Sequence, residues 1–405
     1  MIRPISLFLL IGLFISNHDS AEVTYPKLLW LLLFLIIIPV ISITVAQCVK
    51  QAKAISLFAT IAILVSWLVV VYFFSWATLV QTISMNLPFV EYFLVVIPAI
   101  FWLLVLWFVT SPISNRLSWV SHRLRLDILL LLIPVFILFA VSNVAVLFNV
   151  AEEHVEIVEL VSVFLLFALA PFFVAKILPA RPIHNYELSS TISAIGQMAG
   201  IRQPKILVWD THGRIMNALA IGVIFQPKTI VLTDKLIENL TPRELRAVAA
   251  HEFGHHKYWH IPFLIVVTIT VLIWTNKLFI YMGFDMGGGF AFISQLVLMV
   301  LAIILVSKFF ERQADAFSAI ALSKVSGTNC VTEAGANSLV SALGAIAQTQ
   351  NINLNRNDPL HGSIYSRQQN LKKLIGCSFS VIPIHKKVLW IKIIIGASFI
   401  LGILI

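Results

Sequence analysis

The chain has 405 residues, 59% of them hydrophobic and only 12% charged, with a mean hydropathy of +0.95. Soluble domains carry about 25% charged residues, so the composition excludes an ordinary soluble protein and points to a polytopic membrane protein. The net charge of +9 is not a nucleic-acid signature: the basic residues collect between apolar runs, as topology signals do, and no nucleic-acid partner is expected.

In chain order, the first apolar run, Ile5–Ser16, is short, follows Arg3 and ends in the polar stretch Asn17–Ala21. It reads as an uncleaved membrane helix, with a signal peptide as the alternative. Runs near or above the length that crosses a bilayer follow at Leu28–Ala46, Ile55–Val80, Tyr92–Thr110, Ile128–Phe148, Ile157–Val174, Pro262–Met282, Phe290–Ser307 and Val388–Ile405. Cys48, Cys330 and Cys377 are odd in number and scattered, which argues against a disulfide framework or a thiolate zinc site.

Charge orients these runs. Lys50 and Lys53, then Arg116, Arg123 and Arg125, lie in alternate loops, whereas Gln81–Glu91 and Asn149–Val155 contain no Lys or Arg. The positive-inside rule puts the basic loops in the cytoplasm. Counting onward, Pro179–His260 and Lys308–Lys387 are cytoplasmic, and the Gly-rich loop Gly283–Gly289 with Asp285 is outside. Lys277 is read as snorkelling. The expected architecture is a mainly α polytopic membrane protein with a cytoplasmic α+β domain. Its parts are a multi-span domain over 1–178, a domain over 179–387 interrupted by a membrane hairpin at 262–307, and a last membrane helix at 388–405. Compact loops favour a bacterial inner (plasma) membrane.

The chemistry concentrates in the cytoplasmic segments. Thr241-Pro242-Arg243-Glu244 is a capping box with proline at the first helical position, and it opens a helix through His251-Glu252-Phe253-Gly254-His255. On a helix, i and i+4 share a face, so His251 and His255 can bind one Zn²⁺. Glu252 stands beside it, able to take a proton from an attacking water. Ala247, Ala249, Ala250 and Gly254 let other backbone approach this helix closely. A zinc site needs a third ligand. Glu311 is the best candidate, where the Phe290–Ser307 helix would continue into the cytoplasm. Asp315, one turn on, can accept a proton from a ligand imidazole and fix its tautomer.

These residues resemble the membrane-bound zinc endopeptidases of the HtpX and CAAX prenyl protease superfamily, gluzincins with H-E-x-x-H, a membrane hairpin and then E-x-x-x-D. Met216-Asn217-Ala218, Thr229–Asp234 and His361–Arg367 match as well, so the resemblance spans roughly 179–375, about half the chain. It implies one Zn²⁺ per chain on His251, His255 and Glu311, with Glu252 as base and then acid. Short strands are read at Lys205–Asp210, Met216–Ile221 and Thr229–Leu232, with a turn at 226–228. Asn217 and Ala218 would then lie on an edge strand that holds a polypeptide substrate extended. His361 and Arg367, near a helix start at Ser363, would stabilise the oxyanion or hold that helix. The implied activity is peptide-bond hydrolysis at a lipid bilayer, in membrane-protein quality control or in CAAX-type processing. A zinc-containing scaffold without activity and a transporter remain the rival classes.

Other residues read as structural. His256 and His260 are expected at the surface or an interface. Glu156 and Glu159, near Glu152 and Glu153, read as interfacial carboxylates, and Trp30, Trp274 and Tyr281 as interfacial aromatics. Gln348–Pro359 is the one long loop expected.

Overall fold

A computed structural model describes residues 33–48, 53–74, 88–111, 116–129, 180–213, 215–222, 228–283 and 289–405, with a few isolated positions between them. The expected runs Ile5–Ser16 and Ile157–Val174, most of Ile128–Phe148, the turn residues 226–227, loop residues 284–288 and Glu152, Glu153, Glu156 and Glu159 lie outside the described residues. The chain forms two compact units, Met1–Phe167 and Ala168–Ile405.

In the first unit a π-helical turn, Leu33–Ile37, leads into α1 (Ile38–Cys48), followed by α2 (Lys53–Phe73), α3 (Pro88–Thr110) and α4 (Arg116–Arg123). Each of α1 to α3 is apolar almost throughout, as lipid solvation requires. α2 ends at Phe73, before the expected Val80, because apolar content marks lipid solubility and not helix continuity. α3 starts before Tyr92, at Pro88, whose fixed φ suits a first helical turn. Ile63, Leu64, Trp67, Val95, Leu103 and Trp107 form the core. Two tryptophans in this unit find backbone acceptors, Trp67 Nε1 donating to the Val95 carbonyl at 2.9 Å and Trp102 Nε1 to that of Leu35 at 2.7 Å, whereas the buried Trp107 Nε1 has no hydrogen-bond partner. Such pairing offsets the cost of a polar group away from water.

The second unit opens with β1 (Ala180–Pro182), α5 (Tyr186–Met198), β2 (Lys205–Trp209), β3 (Ala218–Ile221), β4 (Thr229–Thr233) and α6 (Asp234–Asn239). The four-stranded sheet has the order β1-β2-β4-β3. β2 and β4 run parallel, and the outer pairs are antiparallel. β4 is buried along its whole length, as a central strand of Ile, Val and Leu should be. β1 and β3 are the edge strands. β1 is not evident in the sequence: its three residues, Ala-Arg-Pro, are half-buried to exposed and gain a strand only by pairing with β2.

Next come α7 (Pro242–Lys257), α8 (His260–Tyr281), α9 (Gly289–Lys324), α10 (Glu333–Thr349), α11 (Ile364–Lys372) and α12 (Pro383–Leu404). Both halves of the Thr241–Glu244 capping box are present at the start of α7. Trp259, in the left-handed region at φ 56°, turns the chain from α7 into α8. α8, α9 and α12 are apolar and long enough to cross a membrane, as is α3. α9 runs unbroken for 36 residues, about 54 Å at 1.5 Å per residue. A hydrocarbon core is only about 30 Å thick, so the end of α9 that carries Glu311 projects beyond it. There α9 crosses α7 where Gly254 meets Ala314, and the Ser318 hydroxyl donates to the Ala247 carbonyl at 2.7 Å. Leu245, Ala249, Phe253, Phe317, Leu339 and Leu343 continue this contact into the main core.

Candidate metal centre

α7 carries His251, Glu252 and His255 on adjoining turns, and α9 brings Glu311 against them. Donor atoms of His251, His255 and Glu311 all lie within 4.8 Å of one another. The two Nε2 atoms are 3.2 Å apart. Glu311 reaches each imidazole at 3.5 Å, Oε2 toward His251 and Oε1 toward His255. Zinc bonded to nitrogen and oxygen at about 2.0–2.1 Å has ligand-to-ligand edges of roughly 3.3–3.4 Å, so these spacings fit a tetrahedral cation. Glu311 Oε2 is buried without a hydrogen bond; the Arg367 guanidinium stands 3.5 Å away, and a cation held directly by this oxygen would offset the remaining cost of burying it.

The candidate ligands are held from behind. His251 Nδ1 lies 2.9 Å from Asp315 Oδ1, so the proton of the ring faces Asp315 when Nε2 faces the metal site. Arg367, on the first turn of α11, forks onto Asp315: Nε donates to Oδ2 at 2.9 Å and an Nη to Oδ1 at 2.6 Å. Ser363 caps that helix by accepting from the Ser366 N–H, which fixes where Arg367 enters. His361 Nδ1 is 3.1 Å from Glu311 Oε1, and its side chain is 53% exposed, against 9%, 16% and 8% for His251, His255 and Glu311. It therefore stands at the mouth of the site.

Burial and the neighbouring carboxylates shift the titration of the two imidazoles in opposite directions. Burial alone would lower the pKa of His251, but hydrogen bonds to Asp315 and Glu311 outweigh it and raise the pKa to about 10. His255 goes the other way: burial lowers it to about 3. Burial pushes the Glu252 carboxyl up, with the Glu311 charge adding to it. The hydrogen bond to Glu311 raises His361.

Asn217 is exposed and Ala218 opens β3. The Asn217 backbone pairs with Thr233, accepting from its N–H at 3.1 Å and donating to its hydroxyl at 3.0 Å. Pairing alternates along an antiparallel ladder, so the backbone groups of Ala218 and Ala220 face away from β4, along the sheet edge. Upstream, the Met216 carbonyl on that edge accepts from Gln350 Nε2 at 2.7 Å.

The structure gathers Glu252, His361, Arg367 and Asp315 around the His251–His255–Glu311 cluster. It corrects the expectation for His256 and His260: both are buried, 3% and 1% exposed. His256 Nε2 lies 3.2 Å from the Thr229 carbonyl, and His260 contacts His255 itself. Sequence reasoning missed His260, Gln313 and His385 as one connected set. Gln313 sits two residues from Glu311, about 200° around the helix, on a side that the motif alone gives no reason to bury.

Residues 182–355 match the family model described as Peptidase family M48. A Protease HtpX homolog of Thermoplasma volcanium is 24% identical over 230 residues, 52% of this chain and 72% of that protein. CAAX prenyl protease 1 of Saccharomyces cerevisiae is 34% identical over 87 residues, 21% of this chain and 19% of that protein. Among solved structures, Ste24p of S. mikatae shares the fold with a TM-score of 0.57 at 20% identity, covering 87% of this chain and 100% of that one. Family M48 is zinc-dependent in general, and the His-His-Glu cluster lies within the matched segment. With that segment, these relatives and four helices long and apolar enough to cross a bilayer among the described residues, the chain is a metalloprotease similar to the membrane proteases of the HtpX and CAAX prenyl protease superfamily.

Proposed function

We propose that this chain is a membrane-embedded zinc endopeptidase that holds one zinc ion on His251, His255 and Glu311. The observation that carries this reading is the donor spacing of 3.2 and 3.5 Å across two helices separated by a membrane hairpin. Zinc bound there supplies Lewis acidity to a scissile carbonyl and acidifies an attacking water. Glu252 removes the proton of that water; its raised pKa brings it nearer the range a base needs at neutral pH. It then returns the proton to the departing amine nitrogen. His361, half exposed beside Glu311, is the candidate donor to the tetrahedral oxyanion. Arg367 is a positioning residue: its guanidinium forks onto Asp315 and stands 3.5 Å from Glu311 Oε2.

The polypeptide lies extended along β3, bonded to the outward backbone groups of Ala218 and Ala220, with Asn217 at the end of the strand. Gln350 occupies the Met216 carbonyl and limits the strand on that side. We read the peptidase domain as 179–387 and cytoplasmic, on the distribution of Lys and Arg between loops. A bacterial inner membrane accords with the compact loops. The substrates are membrane proteins under quality control. A second reading, processing of prenylated CAAX termini, draws on the 34% identity to CAAX prenyl protease 1.

Comparison of new protein N-termini in membranes holding the parent or Glu252→Gln tests the reading. New termini are expected with the parent alone and should vanish on chelation. A matching set of termini from Glu252→Gln would sink it. Cleavage of a farnesylated CAAX peptide but not of unprenylated membrane proteins would select the second reading.

A further inference from the structure

The second imidazole of the cluster has a support of its own, distinct from the Asp315–Arg367 pair behind His251. His255 Nδ1 lies 3.0 Å from His260 Nδ1. His260 Nε2 lies 2.9 Å from Gln313 Oε1. Gln313 Nε2 lies 3.0 Å from His385 Nδ1. His260 and Gln313 are buried, at 1% and 4% exposed, so neither has water as an alternative partner. Phe310 lies flat against the His260 ring, 4.3 Å between centroids and 4° between planes, which sets the plane of the ring.

We infer that His260, Gln313 and His385 form a one-way hydrogen-bond relay that fixes the metal-binding tautomer of His255. The inference rests on the zinc reading above. His255 Nε2 faces the cluster and must be bare to bind a metal, so its ring proton sits on Nδ1. That proton is donated to His260 Nδ1, which must then be bare. The His260 proton therefore sits on Nε2 and is donated to the Gln313 carbonyl oxygen. The Gln313 amide N–H donates in turn to His385 Nδ1. Each group plays one role, and the order cannot be reversed. A flipped Gln313 amide would require His260 Nε2 to accept, which puts the His260 proton on Nδ1 and forces His255 to carry its proton on the ligating nitrogen. The chain of bonds thus connects α12, through its first turn at His385, to the metal site. It also explains why one short stretch of α9 is polar and buried together: Glu311 faces the metal, Asp315 backs His251, and Gln313 backs His255 through His260.

The test uses the full-length protein in detergent, with zinc affinity measured by competition against a chromogenic chelator and with melting of the metal-free protein as the control. Gln313→Met keeps the side-chain length and removes the acceptor. Gln313→Glu keeps an acceptor for His260. Loss of an outer partner of a metal ligand typically costs 10- to 100-fold in metal affinity. Gln313→Met is expected to lose zinc affinity by about that factor at an unchanged metal-free melting point, and Gln313→Glu to stay within about threefold of the parent. Gln313→Met binding zinc as the parent does, or Gln313→Glu falling as far as Gln313→Met, overturns the relay. If Gln313→Met does not fold, His260→Phe, which preserves the stack on Phe310, decides the matter: parental zinc affinity there overturns it, and a loss of about 10-fold or more supports it. A parent that binds no zinc would instead sink the zinc reading itself.

Discussion

A Cβ added to Gly254 would stand 3.0 Å from the Cα of Ala314. That contact, between the helix of His251 and His255 and the helix of Glu311, sets how closely the two halves of the metal centre approach. Gly254→Ala must push backbone away, since no flexible side chain is there to yield. Overpacking of this kind typically costs 1–3 kcal/mol. The variant is expected to melt lower and to bind zinc more weakly, because Glu311 moves with Ala314. Calorimetric melting and chelator competition check both; unchanged zinc affinity would show that the crossing does not set the ligand spacing.

Glu252→Gln should separate binding from chemistry. The amide cannot take a proton from water, and loss of a general base costs on the order of 10²–10⁴ in rate. Zinc content is expected to stay at the parental level, since Glu252 is not one of the clustered donors. Metal analysis alongside casein hydrolysis in detergent distinguishes this from simple loss of the site.

Arg367→Met tests positioning against direct participation. Removal of the guanidinium leaves Asp315 buried beside His251 with its two charged hydrogen bonds gone. Breaking a buried pair from one side typically costs 3–5 kcal/mol. A lower melting point together with weaker zinc binding is expected. A variant with parental melting and zinc affinity but a fall in kcat alone would make Arg367 a donor to the oxyanion.

Acid stability carries a signature of the α7 cap. Burial of Glu244 would raise its pKa, but hydrogen bonds from Ser341 and Thr241 outweigh that and hold it below the ordinary 4.5. A depressed carboxylate pKa contributes stability that is present above 4.5 and is lost as pH falls through the folded value. Glu244→Gln is therefore expected to lower the melting point at pH 7, with the gap to the parent narrowing progressively below about pH 4.5. A gap independent of pH from 7 down to 3 would assign the effect to packing instead.

Much of the site was legible in the residues because its signals are local. The capping box, the i, i+4 spacing of His251 and His255, and the polar Glu311–Asp315 turn following an apolar run each involve neighbours on one helix. The strands β2, β3 and β4 were legible from apolar runs between turn residues, and they formed within a residue or two of the expected bounds. β1 was not, since three half-exposed residues carry no period of their own.

The sequence by itself determined the candidate ligand residues, their order along the chain, and the helices that present them, because helix periodicity and bilayer length act over a few turns. Only the tertiary structure decided which side chains back the ligands. Arg367 reaches Asp315 across 52 positions, and Gln313 joins His260 to His385 across 53 and 72. His256 and His260 looked like surface residues beside a motif, yet packing against β4 and α9 buried them. A polar side chain gives no sign in sequence of whether water or a distant partner will satisfy it, since that depends on which elements the core brings together.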